Sequence, residues 1–278
     1  MLIMKYIAFA LKYIKNNFFR LLLLTAVPAA LFAMFASPSR LILFATGYDP
    51  QGITSLGGVI GALLPMSKAI WLLLLIPAAA VFASMTFGFM EHHMRMGVFG
   101  ARGILRRLNY GAGGFLLPFA VLTILYFIWQ YLCAFILYFI HYLFYQVWGS
   151  PALATVVTAA VSLGLLYVFF SAATYFVLWP PVMQMSGYDL GDSWYYQLKM
   201  LSGNQHKLKL ALCFPAALVA AVILLFNLFV PEAYMVYIRA VCFLFEFMYL
   251  PALSMTAYFD ITGTERRDLI ARKKYYLR

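Results

Sequence analysis

The stretch VWGSPALATVVTAAVSLGLLYVFFSAATYFVLWPPVMQMS, Val147–Ser186, runs for 40 residues without a charged side chain. About 20 apolar residues cross the hydrocarbon of a bilayer as a helix, so this run is longer than one crossing requires. Two more charge-free runs precede it, Ala69–Met90 with 22 residues and Gly111–Tyr145 with 35. They do not alternate between apolar and polar residues, which argues against the strands of a membrane barrel.

Composition points the same way. The 278 residues are 65% hydrophobic and 10% charged, with a mean hydropathy of +0.88. Soluble domains are near half apolar and a quarter charged. Too few polar side chains are left here to cover a surface in water. The sequence predicts six spans, at about 19–37, 69–91, 115–147, 152–183, 208–230 and 235–259. Tilt, kinks or interfacial ends absorb the surplus length of the third and fourth. Met1–Asn17 carries Lys5, Lys12 and Lys15 among apolar residues and has no small-residue cleavage site, so no cleaved signal peptide is expected. Cys133, Cys213 and Cys242 fall inside spans and no CxxC occurs, so neither a disulfide frame nor a zinc site is expected. No cofactor is implied.

The basic residues sort by side. Lys5, Lys12, Lys15 and Arg20 precede the first span, and Arg95, Arg102, Arg106 and Arg107 lie between the second and third. Lys199, Lys207 and Lys209 lie between the fourth and fifth, and Arg266, Arg267, Arg272, Lys273, Lys274 and Arg278 follow the sixth. These are 17 of the 20; Arg40, Lys68 and Arg239 remain for the other side. The positive-inside rule then predicts a multi-pass membrane protein with both termini in the cytoplasm. The net charge of +11 is a topogenic bias facing the anionic inner leaflet, with no nucleic-acid motif beside it.

A repeat organises the spans. Residues 11–33 and 198–220, offset by 187, are identical at ten of 23 positions, including a shared PAAL block at Pro28 and Pro215. Asn17 and Asn204 each precede that proline by eleven residues. A middle copy is expected near Pro118, where Asn109 and Arg107 stand in a different order and spacing. The predicted fold is all-α and integral to the membrane: six spans as three pseudo-repeated hairpins, 1–91, 92–186 and 187–259. A cytoplasmic amphipathic helix precedes each hairpin, and a basic helix, 260–278, closes this single membrane domain.

In the first amphipathic segment Lys5, Lys12 and Lys15 share a face, with Leu2, Ile7, Leu11 and Ile14 on others. GARGILRRL and SWYYQLKML supply the second and third, the latter opened by an Asp/Ser start in GYDLGD. Lys12, Lys15, Arg20, Arg106, Arg107, Lys199, Lys207, Arg266, Arg267, Lys273 and Lys274 are expected to face anionic lipid. Thr262 and Glu265 fit a capping box for the closing helix, with Asp268 and Arg272 as an i, i+4 pair.

Pro28, Pro118 and Pro215 in the rising arms, and Pro77, Pro180 and Pro251 in the descending arms, are expected kink sites. They either set packing geometry or shape an inward-facing vestibule. Glu246 is the one acid well inside a span, with Arg239 two turns earlier. His141, Gln130 and Asn227 complete the intramembrane polar candidates, alongside Gln146. Glu91, His92 and His93, among Met85, Met90, Met94 and Met96, resemble a soft-metal site only loosely, because adjacent histidines do not share a helix face, and the simpler reading is a polar interfacial turn. The segment ITSLGGVIGALLP in the outer loop 38–68 reads either as a re-entrant helix or as a flexible loop. Nucleotide, metalloprotease and hydrolase motifs are missing, so no enzymatic activity is expected.

The run IPAAAVFA (Ile76–Ala83), then a basic amphipathic segment, then RRLN (Arg106–Asn109), resembles the YesL-type bacterial membrane proteins. The resemblance covers spans two to five. It implies a small polytopic protein, in some cases associated with carbohydrate uptake, and offers no catalytic residues to carry over. Three functional expectations result. The first is a transport-related or accessory subunit that takes energy from a protein partner such as a transporter subunit. The second is a non-transporting membrane organiser or lipid-binding scaffold. The third is an ABC-2-like permease, against which the regular period argues.

Overall fold

The computed structural model describes residues 3–35, 56–57, 66–97, 101–187, 189–227, 229–231 and 234–269. Among them there is no strand, and six helical stretches are long and apolar enough to cross a membrane. The helices are α1 (Ile3–Phe35), α2 (Met66–Met96), α3 (Ala101–Tyr142), α4 (Pro151–Thr174), α5 (Trp179–Ser186), α6 (Leu190–Leu201), α7 (Gln205–Asn227) and α8 (Met235–Thr262). A π-helical turn, Leu143–Val147, extends α3. Helices are the natural state of such runs, because lipid offers backbone N–H and C=O groups no partner outside the segment.

Helical dihedrals break inside α1 at Asn17 (φ −125°, ψ 22°), eleven residues before Pro28. The Asn17 amide donates to the Tyr13 carbonyl at 3.1 Å, a local bond that competes with the helical ladder. A turn also falls at Asn204, 187 residues later. There α6 begins at Leu190, the turn Ser202–Asn204 follows with Gly203 at φ +84°, and α7 starts at Gln205. Leu21 and Leu208 are both fully buried, and Pro28 and Pro215 are buried as well. The middle segment differs. α3 is one continuous helix of 42 residues, so the helix expected at GARGILRRL is not set apart from the third span. No positive-φ glycine or non-helical residue interrupts it. At 1.5 Å per residue α3 is about 63 Å long, roughly twice the hydrocarbon thickness.

The fourth span is divided where a single helix was expected. α4 stops at Thr174, Tyr175–Leu178 form a turn, and α5 begins with Pro180 and Pro181 in its first turn. Pro180 therefore starts a helix instead of kinking one, since a missing N–H is harmless in a first turn. Neighbours hold the turn. The Gln197 amide donates to the Tyr175 carbonyl, and Trp179 Nε1 donates to Ser193 Oγ at 3.0 Å. The rings of Phe176, Trp179 and Trp194 pack together, with Phe176 and Trp194 centroids 4.9 Å apart. The other five prolines lie inside their helices.

α8 is the hub of the bundle, in contact with α1, α2, α5 and α7. Every residue from Ala252 to Phe259 is buried, as expected of a helix apolar all round. The most extensive interfaces join α1 to α8 and α2 to α3. Each pairs spans assigned to different hairpins: α2 and α3 are consecutive along the chain, whereas α1 and α8 come from its opposite ends. Tyr249 Oη donates to the Ala211 carbonyl at 2.9 Å. In an unbroken ladder residue 215 would donate to that carbonyl, but Pro215 has no N–H. α4 buries Ala154, Thr158 and Ser162, one small residue per turn, which permits close helix approach. Its Val161, Leu165 and Leu166 pack on Cys133, Ala134 and Leu137 of α3.

Candidate functional site

A cavity of about 600 Å³ opens between α8, α1 and α2 on one side and α3 and α4 on the other. Small residues leave the space: Ala79 and Ala83 of α2, and Ala172 and Ala173 of α4. Aromatic rings line much of it, among them Phe82, Phe87, Phe119, Trp129, Phe169 and Phe247. Pro28, Pro180 and Pro251 reach its wall from three different helices. Among the described lining residues none is charged, and the aliphatic hydroxyls are Thr25, Thr86 and Ser254. The volume is in the range of small-molecule sites. Leu125, Ile128 and Leu132 line it while remaining substantially exposed on α3, so the cavity is open on that side.

A second cavity, about 340 Å³, lies at the charged end of the bundle between the start of α1 and the end of α8. Lys12, Asn17, His93, Asp260, Arg266 and Asp268 contribute to it. Asp260, Arg266 and Asp268 are paired. Lys5 Nζ bonds both Asp260 oxygens, at 2.7 and 3.0 Å. Arg266 grips Asp268 in two bonds, at 2.8 and 3.2 Å, and sits over the Tyr13 ring. Tyr13 Oη meets His93 Nδ1 at 3.2 Å. The neighbouring Glu91 carboxylate accepts from Arg95 and from Gln184, both at 3.1 Å, and ties α2 to α5.

Several sequence expectations are corrected here. Glu91 is not in an interfacial turn; it is a buried helical residue, 2% exposed, because both carboxylate oxygens find donors inside the bundle. Arg266 does not face lipid: Asp268 and the Tyr13 ring draw it inward. Asp268 pairs with Arg266, and Arg272 lies outside the described residues. Thr262 does not cap a following helix: it is the last residue of α8, its hydroxyl donates back to the Tyr258 carbonyl, Gly263 at φ +66° ends the helix, and 264–266 are not helical. In the first segment Tyr6, Ala10, Tyr13 and Asn17 are the buried residues, whereas Leu11 is 36% exposed. The reason is the dense α1–α8 contact, which selects the tyrosine face.

Three of the intramembrane polar candidates stand away from both cavities. Glu246, Arg239 and His141 line neither cavity. His141 is buried and stacks on Tyr145, with centroids 5.1 Å apart. Glu246 makes no ion pair with Arg239, and the two are not brought together. The side chains of Gln130, Asn227, Arg106 and Arg107, most of the outer loop 38–68, and Lys273 and Lys274 lie outside the described residues. Lys12, Lys15, Arg20, Lys199 and Arg267 are exposed, and Lys207 is half-buried with Asn204 Oδ1 at 3.4 Å. Among the described residues no three of His, Cys, Asp and Glu gather as a metal site would require. The apolar cavity itself was missed in the sequence. Its signal was the Ala pairs in IPAAAVFA and SAAT, which read as ordinary span residues until the fold faces them across one space. Compared with protein-family models, curated proteins and solved structures, the chain finds no match.

Proposed function

We propose that the chain is a bacterial cytoplasmic-membrane protein that holds an apolar lipid chain between its spans, as a lipid-binding scaffold without enzymatic activity. One observation carries this: the 600 Å³ cavity among the spans has an apolar, aromatic-rich wall with no charged lining residue described. A path for a polar solute needs convergent polar groups at membrane depth. Glu246, Arg239 and His141 do not supply them here. The scaffold reading thus stands ahead of the transport-accessory and ABC-2-like readings, and the YesL-type resemblance is compatible with it.

The 17 basic residues on one side support cytoplasmic termini and a basic surface against anionic lipid. The shared 187-residue register of α1 with α6 and α7 supports two copies of one unit, an interfacial segment followed by a span. The test is extraction of the full chain in native lipid particles, then mass spectrometry of retained lipids and proteins. A stoichiometric lipid, lost on Ala83→Phe, is expected. A stoichiometric ATPase or uptake component, with lipid retention unchanged by Ala83→Phe, refutes the scaffold reading and restores the accessory subunit.

A further inference from the structure

We propose that the cavity's occupant is a neutral long-chain alcohol, bound with its free hydroxyl against α1, α2 and α8. This rests on the cavity being a lipid-chain site and adds the chemistry of the head that the site accepts.

The hydrogen-bond directions in the wall decide it. Thr25 Oγ1 donates to the Leu21 carbonyl at 2.8 Å, and Thr86 Oγ1 donates to Phe82 at 2.8 Å. Ser254 Oγ donates to the Pro251 carbonyl at 3.3 Å. A hydroxyl has one donor and two acceptor positions. Each of these three has spent its donor on its own helix, so each offers the cavity lone pairs only. A proline adds to the same bias. Pro251 withholds the N–H group that a regular helix aims at the carbonyl of Phe247, a lining residue. The wall made by α1, α2 and α8 is therefore rich in acceptors and poor in donors.

A phosphate or carboxylate head brings only acceptors and a charge, and nothing on this wall answers either. An ammonium head would be a buried cation without a carboxylate. A methyl ether or an alkane brings no donor. A hydroxyl brings one donor and no charge, which is what the wall can satisfy. Tyr126 and Trp129 carry the remaining polar atoms of the cavity, and both stand on the α3 wall opposite.

Depth fixes the orientation. Thr25 follows Arg20 by five residues, Thr86 precedes Glu91 by five, and Ser254 precedes Asp260 by six. At 1.5 Å per residue the three hydroxyls lie about 8–9 Å along their helices from a charged side chain. The head then sits toward the charged end, and the chain runs along α3 past Ile128 and Leu132.

Trp129 lines the cavity and reports occupancy. The probes are a dibrominated octadecanol and its methyl ether, titrated into the full-length protein in lipid nanodiscs while bromine quenching of tryptophan is read. Quenching that disappears in Trp129→Phe identifies this cavity. The alcohol is expected to bind about two- to tenfold tighter than the ether, the net worth of one neutral hydrogen bond. Thr25→Val, Thr86→Val and Ser254→Ala together are expected to lower that ratio while ether affinity stays put. Equal binding of both probes to the unmodified protein overturns the hydroxyl inference and leaves the chain site standing. Failure of both probes to quench Trp129 overturns the two together.

Discussion

Replacing Tyr249 with Phe tests whether a proline in one span is compensated by a side chain from another. Tyr249 is fully buried, and its hydroxyl reaches the Ala211 carbonyl at 2.9 Å. Its ring packs on Phe214 and Phe245, both at 5.6 Å between centroids, and Phe keeps those contacts. The loss is then confined to one hydrogen bond and one stranded acceptor. A buried unpaired acceptor costs about 1–3 kcal/mol. Interhelical bonds in membranes average about 0.6 kcal/mol and reach about 1.7. The expected destabilisation is about 1–2 kcal/mol, read as a shift in unfolding in mixed micelles. Pro215→Ala supplies the missing N–H, so Tyr249→Phe on that background should cost about 1 kcal/mol less. The small void left by Pro215→Ala cancels in the cycle. An unchanged cost of Tyr249→Phe in the Pro215→Ala protein would refute the compensation.

Three further outcomes are expected. Glu91→Ala strands Gln184 and leaves Arg95 without its carboxylate, so it should destabilise by about 2–3 kcal/mol, whereas Glu91→Gln, which keeps an acceptor and loses the charge, should cost less; equal costs would refute this and assign the whole effect to the charge. Lys5 and Asp260 are 39% and 28% exposed, and exposed pairs are worth about 0–1 kcal/mol. Lys5→Ala should therefore shift stability only slightly and loosen the start of α1 in hydrogen exchange, while Lys5→Asp with Asp260→Lys should restore protection; no restoration would exclude direct pairing. Glu246→Gln should leave lipid retention unchanged, since Glu246 lines neither cavity, and a lost lipid would place it in the site after all.

Much of the architecture was legible in the chain. Forty residues without charge force helices, because only a helix satisfies its backbone within one segment in lipid. The offset of 187 residues marked Asn17 and Asn204, and both stand at a boundary between a short first segment and a span. Those features are local, set by hydropathy and by an amide that competes with the helical ladder.

The site was not legible, because it depends on which helix faces meet. Ala79, Ala83, Ala172 and Ala173 are small anywhere; they become a cavity only when α2 and α4 face each other across a gap. Glu246 stood out as the lone acid of its span, yet rotation of α8 turns Phe247, Pro251 and Ser254 to the cavity and leaves Glu246 off it. Tyr13 meets Arg266 because α1 packs on the far end of the chain, whereas Glu91 is tied to Gln184 because α2 meets α5. Hydropathy along the chain determined that this protein is helical, with six helices long and apolar enough to cross a membrane. Only packing between distant helices decided where it is hollow, since helix rotation and partner choice depend on side-chain fit that no single segment contains.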